Sequence, residues 1–377
     1  MTTVYFDHNA TTPVDPRVAE AMIPWLTGEH GNPSSLHRFG RAARNAVEQA
    51  RSQVAALIGA QPGEVIFTGS GSESNNAVIA AIAHRYEYQG HIVLSSFEHP
   101  SVEQAVRRAE ARGMTATRVP PGPDGVVDAA ALIEALQPDT RLLCLMLANN
   151  ELGTLQPVAP VARACREQGV PVLTDAVQAV GKTPVDVHDL GIDYLTLCGH
   201  KFHGPLGVAA LWIRDGAFFE PSLVGGGQER GRRSSTENVP GIVGLGMTAE
   251  LARLELPERI RHLRALRDPL EEGLARIPGV RLHSQHAPRL PHTTNAAFPG
   301  ATGLDLVHRL DEAGYAVSTG AACNTAKPEP SATLTAMGIP AEEALSTLRI
   351  SFGMTNQLAE VEGFLEVLAT QIEVTDA

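Results

Sequence analysis

The chain has 377 residues, 43% of them hydrophobic, with a formal net charge of −12, which is enough apolar material for one large core and a smaller second one. The acidic balance argues against a nucleic-acid-binding surface, even though Arg230, Arg232 and Arg233 form a local basic patch. Apolar runs such as Leu142 to Ala148 are strand length, far short of the roughly 20 residues of a membrane helix, and Met1 to Asn9 lacks a basic-then-apolar leader, so a cytoplasmic protein with no membrane association is expected.

In chain order, short β-rich runs alternate with helical patterns. Strands are predicted at Glu64 to Thr68, His91 to Ser95, Ala116 to Val119, Arg141 to Leu147, Pro171 to Thr174, Tyr194 to Leu197 and Gly207 to Trp212. This is the pattern of an α/β protein with a mainly parallel sheet covered by helices on both faces. Polar residues follow several of these strands, and in such sheets ligands sit beyond the carboxyl ends, so one shared crevice is expected. Gly225 to Asn238 reads as a surface loop. Ile260 to Ile277 then reads as a long amphipathic helix, followed by Arg281 to His283, Thr294 to Phe298, Gly303 to Ala313, Ala316 to Ser318 and Thr347 to Ser351, a smaller α+β portion.

Four segments carry chemistry. Phe67 to Asn76 is a strand, a glycine turn and a helix start; Gly71 and Ser72 would offer free amides and a hydroxyl to a phosphate, although Ser72 with Asn75 would equally serve as a helix cap. Asp175 closes a buried strand, where a carboxylate needs a cation or several donors; capping the next segment would also satisfy it. Lys201 follows a strand within Cys198-Gly199-His200-Lys201, and partial burial there would lower its pKa and suit it to imine chemistry. Cys323 sits among small residues in Ser318 to Asn324, followed by Lys327, Pro328 and Pro330, an accessible thiol and a candidate nucleophile. Cys144 and Cys165 lie in apolar elements and read as packing residues. Without paired spacings, neither a disulfide framework nor a zinc site is expected, and His200 with His203 lacks a third ligand.

Together these segments resemble the cysteine desulfurases, fold-type I pyridoxal 5'-phosphate enzymes. The resemblance starts at Tyr5 to Pro13 and runs through Gly31 to Ser35, Phe67 to Asn76, Glu98-His99, Asn149 to Gly153, Asp175 to Gln178, Gly199 to Lys201, Gly225 to Thr236, Gly320 to Cys323 and Leu348 to Ser351. It implies a large cofactor-binding domain over residues 15–257 with a seven-stranded sheet, and a small domain from 1–14 and 258–377 that carries the cysteine loop. It makes Lys201 the Schiff-base lysine and proton shuttle, Asp175 the partner of the pyridine nitrogen, and His99 a stacking and acid–base residue. By the same resemblance Gln178 and Asn150 face the ring oxygen and the substrate, while Gly71, Ser72 and His200 hold the phosphate. Thr236 would reach in from a second subunit, implying a homodimer, and Arg349 would bind the substrate carboxylate. Cys323 would take sulfur from L-cysteine as a persulfide, releasing L-alanine, and pass it to a sulfur-acceptor protein for iron–sulfur clusters, thiolated cofactors or tRNA. Three departures stand out: Cys198 replaces the usual Ser at a phosphate contact, the active loop reads TGAAC where SGSAC is common, and Met354 follows Gly353 where the family commonly has an arginine.

A selenocysteine lyase or related lyase would use the same lysine, aspartate and arginine, and Cys323 weighs for persulfide chemistry instead. A thiol hydrolase built on Cys323 and His99 would leave Lys201 without a role. A non-catalytic binding protein would need none of Lys201, Asp175 and Cys323.

Overall fold

The computed structural model describes residues 3–320 and 329–373. Its strands, in chain order, are β1 (Val4–Tyr5), β2 (Val65–Thr68), β3 (His91–Ser95), β4 (Thr115–Val119), β5 (Thr140–Cys144), β6 (Val172–Asp175), β7 (Tyr194–Cys198), β8 (Ala209–Ile213), β9 (Arg281–Leu282), β10 (Thr293–Ala297), β11 (Tyr315–Ala316) and β12 (Thr347–Ser351). Seven of them form one sheet in the order β2-β8-β7-β6-β5-β3-β4. Within it β8 runs antiparallel to both neighbours and every other adjacent pair is parallel, so the other six strands point their carboxyl ends the same way. The central strands are wholly buried apolar runs, as helices on both faces require. By contrast β4, at the edge, carries Thr115 and Arg118 and is for the most part half-buried. The strands predicted from sequence match the observed ones to within a few residues. β5 closes its ladder earliest, at Cys144, yet the amides of Leu145 and Leu147 still donate to the carbonyls of Leu173 and Asp175.

The long helix departs from expectation. It runs over Val239–Leu274, 36 residues, through Pro257 and Pro269, and not over Ile260 to Ile277. Its first half is disguised by glycines that suggest a loop. At Gly246 a Cβ would stand 2.5 Å from Ala50, and at Gly244 one would stand 2.6 Å from Met22 Sδ; these glycines permit close helix packing. The expected surface loop at Gly225 to Asn238 is also more anchored than its composition suggests. Glu229 is buried and takes both Arg51 Nη1 (2.6 Å) and Nη2 (2.9 Å) as well as the Phe67 amide (2.9 Å).

Beyond the helix, β9, β10 and β12 form an antiparallel sheet in the order β12-β10-β9. β1 pairs in parallel with β11, and Asp7 bridges to Ser351 of β12. Phe6, Phe298, Phe352 and Phe364 share a core with Leu263, Leu266, Leu270 and Leu274 from the second half of the long helix. The first half contributes Ile242, Leu245, Ala249 and Ala252 to the core beneath the large sheet. No helix among the described residues is long and apolar enough to cross a membrane.

Candidate active site

The turns that leave the carboxyl ends of β2, β3, β5, β6 and β7 line one cavity. Ser70, Gly71 and Ser72 come from the first turn, Glu98 and His99 from the second, Asn150 from the third, Asp175 and Gln178 from the fourth, and Cys198, His200 and Lys201 from the fifth. Asp7, Asn9 and Arg349 close it from the side of β1 and β12. The crevice anticipated from sequence is therefore real.

Lys201 ends a single 3-10 turn, Gly199–Lys201, directly after β7. Its Nζ donates to the carbonyls of Asn9 (2.7 Å) and Ala10 (2.8 Å). Burial, with the Arg349 guanidinium adding to it, pulls its pKa below the ordinary lysine value, which brings the neutral, nucleophilic amine closer to working pH.

Asp175 is buried at the end of β6, and both its oxygens have donors: Asn75 Nδ2 at 2.7 Å and the Val177 amide at 3.0 Å. The capping role and the ligand-facing role thus coexist. Asn75 also donates to Ser101 Oγ (3.0 Å), which lies 2.8 Å from His99 Nδ1, and the Ser101 amide donates to the same ring nitrogen at 3.1 Å. With Nδ1 accepting, a neutral His99 carries its proton on Nε2. Burial around the ring lowers the His99 pKa, with Asp175 opposing and Lys201 assisting. The chain Asp175, Asn75, Ser101, His99 was not foreseen; Asn75 and Ser101 look like ordinary cap residues in sequence.

Gly71 and Ser72 occupy the first turn of helix Gly71–Arg85, capped by Ser70 Oγ on the Glu73 amide (3.1 Å). Ser70, not Ser72, is the cap. First-turn amides have no partner within the helix, and the helix dipole favours an anion there. A Cβ at Gly71 would stand 3.0 Å from Val177 Cγ2, so glycine sets how closely the turn approaches β6. His200 lies 3.2 Å, through Nδ1, from Thr11 Oγ1, and burial lowers its pKa to about 4. Cys198 is buried, and burial pushes its thiol up to about 12, so it is a neutral lining group and not a nucleophile.

Arg349 is buried on β12. Nη1 donates to the Asn150 carbonyl (3.1 Å), Nη2 to Asp7 Oδ1 (2.6 Å), and Nε is buried without a partner. Gln178 uses Nε2 on the Asn9 carbonyl (2.9 Å) and accepts from Lys182 Nζ (3.0 Å); its amide retains a second N–H. Lys182, another unforeseen residue, has its pKa lowered to about 7, by burial first and Lys201 second. Thr236 is exposed and does not line this cavity. Cys323, with Lys327 and Pro328, lies outside the described residues. On either side of that stretch, Ser318, Gly320, Glu329 and Pro330 line the cavity, and the Glu151 carboxylate takes the hydroxyls of Ser331 (2.6 Å) and Thr333 (2.7 Å). Cys144 and Cys165 are buried with raised pKa values, Cys165 to about 12. Among the described residues no group of His, Cys, Asp or Glu side chains could hold a metal ion.

These residues fit a pyridine-based phosphate cofactor: a helix N-terminus for the anion, a buried carboxylate and a lysine of lowered pKa line the same cavity. Comparison with known proteins points the same way. Residues 4–364 match the aminotransferase class-V family. A cysteine desulfurase IscS from Methanosarcina thermophila is 44% identical over 366 residues, 97% of this chain and 91% of that protein. A cysteine desulfurase from Bradyrhizobium diazoefficiens is 45% identical over 362 residues, 95% of this chain and 92% of the other. Among solved structures, a NifS-like protein superimposes with a TM-score of 0.93 at 37% identity, covering 99% of this chain and 100% of its own. SspA in complex with cysteine gives 0.83 at 36% identity over 93% of this chain and 99% of its own.

Proposed function

We infer, from the premise that this chain belongs to the aminotransferase class-V family, that it is a cysteine desulfurase acting on L-cysteine with pyridoxal 5'-phosphate. The observation that carries this is the convergence of Lys201, Asp175, His99 and Arg349 on one cavity whose rim includes the residues flanking the Cys323 segment. Lys201 would hold the cofactor, Asp175 its ring nitrogen, and Gly71, Ser72 and His200 its phosphate, with Cys198 beside them. When bound, that group supplies an electron sink for the substrate α-carbon.

The chain's own residues do the rest. Arg349, which lines the cavity, would receive the substrate carboxylate on its guanidinium, a planar fork suited to that anion. Asn150 and the spare N–H of Gln178 would orient the substrate and the ring oxygen. Lys201, once its pKa is lowered, would take the α-proton and return it. His99, with its proton on Nε2, can donate inside the cavity. The Cys323 thiol gains the sulfur: L-cysteine and the thiol become L-alanine and a persulfide, with no oxidant or reductant required. In this reading residues 15–257 bind the cofactor, while 1–14 with 258–377 carry Cys323. Thr236, exposed and away from its own cavity, serves a second copy in a homodimer, and a sulfur-acceptor protein takes the persulfide.

The test is mass spectrometry of the cofactor-loaded protein after addition of L-cysteine. One extra, reductant-labile sulfur is expected on the Cys323 peptide and none on those of Cys144, Cys165 or Cys198, with L-alanine released. A Cys323→Ala protein that forms alanine at the parent rate would overturn the reading.

A further inference from the structure

Glu98 lines the same cavity and is used by none of the steps above. It sits three residues beyond β3, buried, with Oε1 taking Ser95 Oγ (2.5 Å) and the Met146 amide (2.8 Å). Oε2 is closed off from solvent and has no hydrogen-bond partner. No Lys, Arg or His among the described residues pairs with this carboxyl. Asp175, in the same cavity, has a donor on each oxygen. The two carboxyl groups are therefore unequally equipped for charge: an ionised Glu98 would leave one buried anionic oxygen unsolvated, whereas a proton on Oε2 removes that burden.

We propose that Glu98 is a neutral carboxylic acid in the working protein, a positioning residue that leaves the negative charge of the pair on Asp175. The proposal rests on the cofactor reading only for the purpose it assigns to that division. Two neighbouring carboxylates with different surroundings commonly divide in this way, one ionised and one protonated. The charged groups facing Glu98 favour retention of its proton, while the donors on Oε1 oppose it. Asp175 comes from β6 and Glu103 from helix Pro100–Glu110, and Glu103 is itself held by Arg107 and Arg118; the Cys144 thiol of β5, its own pKa raised, stays neutral beside them. His99, next in sequence, has its pKa lowered and supplies no standing positive charge. Burial first, then the charges of Asp175 and Glu103, raises the Glu98 pKa to about 8 against the opposing pull of Ser95 and Met146. Between the ordinary carboxylate range and that value the folded chain keeps a proton that the unfolded chain releases. Glu98 therefore withdraws stability as pH climbs through this window, and the withdrawal is complete above about 8.

The cofactor-free protein, labelled with 13C at glutamate carboxyls, tests this without any reliance on the cofactor. One carboxyl resonance should titrate with a midpoint near 8 and be absent from Glu98→Gln. If every glutamate titrates in the ordinary range, the proposal fails. Ser95→Ala, which deletes a donor to Oε1, should move that midpoint upward; a downward shift or none overturns the assignment. A structural role alone would not alter the next readout. Because the cofactor's phosphate is an anion, a second charge in the cavity weakens its hold. Between neutral and alkaline pH the parent should therefore lose on the order of tenfold more cofactor affinity, about 1.4 kcal/mol, than Glu98→Gln, and equal losses would overturn the positioning role. A parent protein that binds no cofactor at any pH would instead defeat the cofactor reading while leaving the carboxyl titration to stand or fall by itself.

Discussion

Arg349 Nη2 and Asp7 Oδ1 lie 2.6 Å apart, joining β12 to the segment that follows β1 at the edge of the cavity. With Nη1 on the Asn150 carbonyl, the contact holds the guanidinium from both ends. Asp7→Ala should loosen this fork and raise the KM for L-cysteine about tenfold, roughly 1.4 kcal/mol, with kcat within about twofold, the pattern of lost uniform binding. Steady-state kinetics of the loaded protein decide it; a fall in kcat at constant KM would place Asp7 elsewhere in the mechanism.

Asn75 spans Asp175 and Ser101. Asn75→Ala leaves Asp175 Oδ2 without its 2.7 Å donor and should cost about 1 to 3 kcal/mol, seen as a lower melting temperature and weaker cofactor retention. Asn75→Asp, which sets a second carboxylate against Asp175, should be worse than Ala. If Asn75→Asp retained cofactor as well as the parent, the inferred contact would be wrong.

The pair between Arg51 and Glu229 tests the loop. Glu229→Ala takes the two-pronged acceptor from the buried Arg51 guanidinium, which keeps Glu48 and the Val65 carbonyl, and leaves the Phe67 amide without its acceptor, a change expected to destabilise the protein by about 3 kcal/mol. Denaturant unfolding would measure it. An effect below about 1 kcal/mol, the scale of an exposed pair, would mean that the loop is not held there.

His203 is buried, with Nδ1 3.0 Å from the Pro13 carbonyl and Nε2 accepting from the Met354 amide at 3.4 Å, an arrangement that only the neutral ring satisfies. Burial lowers its pKa to about 4. Between the ordinary histidine value and about 4 the unfolded chain binds the extra proton, so stability is present at neutral pH and drains away as pH falls through that interval. The loss is on the order of 3 kcal/mol. Denaturant midpoints at neutral and acidic pH, compared between the parent and His203→Gln, should converge on acidification; parallel curves would count against it.

The large sheet is legible in the sequence because its buried strands are mostly apolar runs, and their polar endings mark the crevice. Asp175 and Lys201 could be singled out because each is a charged residue at the end of such a run. Asn75, Ser101 and Lys182 could not. Asn75 reaches Ser101 and Asp175 across 26 and 100 residues of chain, which no local spacing encodes, and Lys182, four residues from its acceptor Gln178, is set apart only by its burial. The first half of the long helix is hidden for another reason: Gly244 and Gly246 are poor helix formers by local preference, whereas here the neighbouring helix surfaces demand them.

The helix Val239–Leu274 roots one end in the core under the large sheet and the other among the phenylalanines of the smaller portion. A helix gains little by surviving in half, since its stability comes from the faces it buries. Melting either core would fray the helix that supports the other, so heating should produce a single calorimetric transition across both. Any parting of the two cores would then have to bend the helix they share, where Pro257 and Pro269 each remove a backbone hydrogen bond.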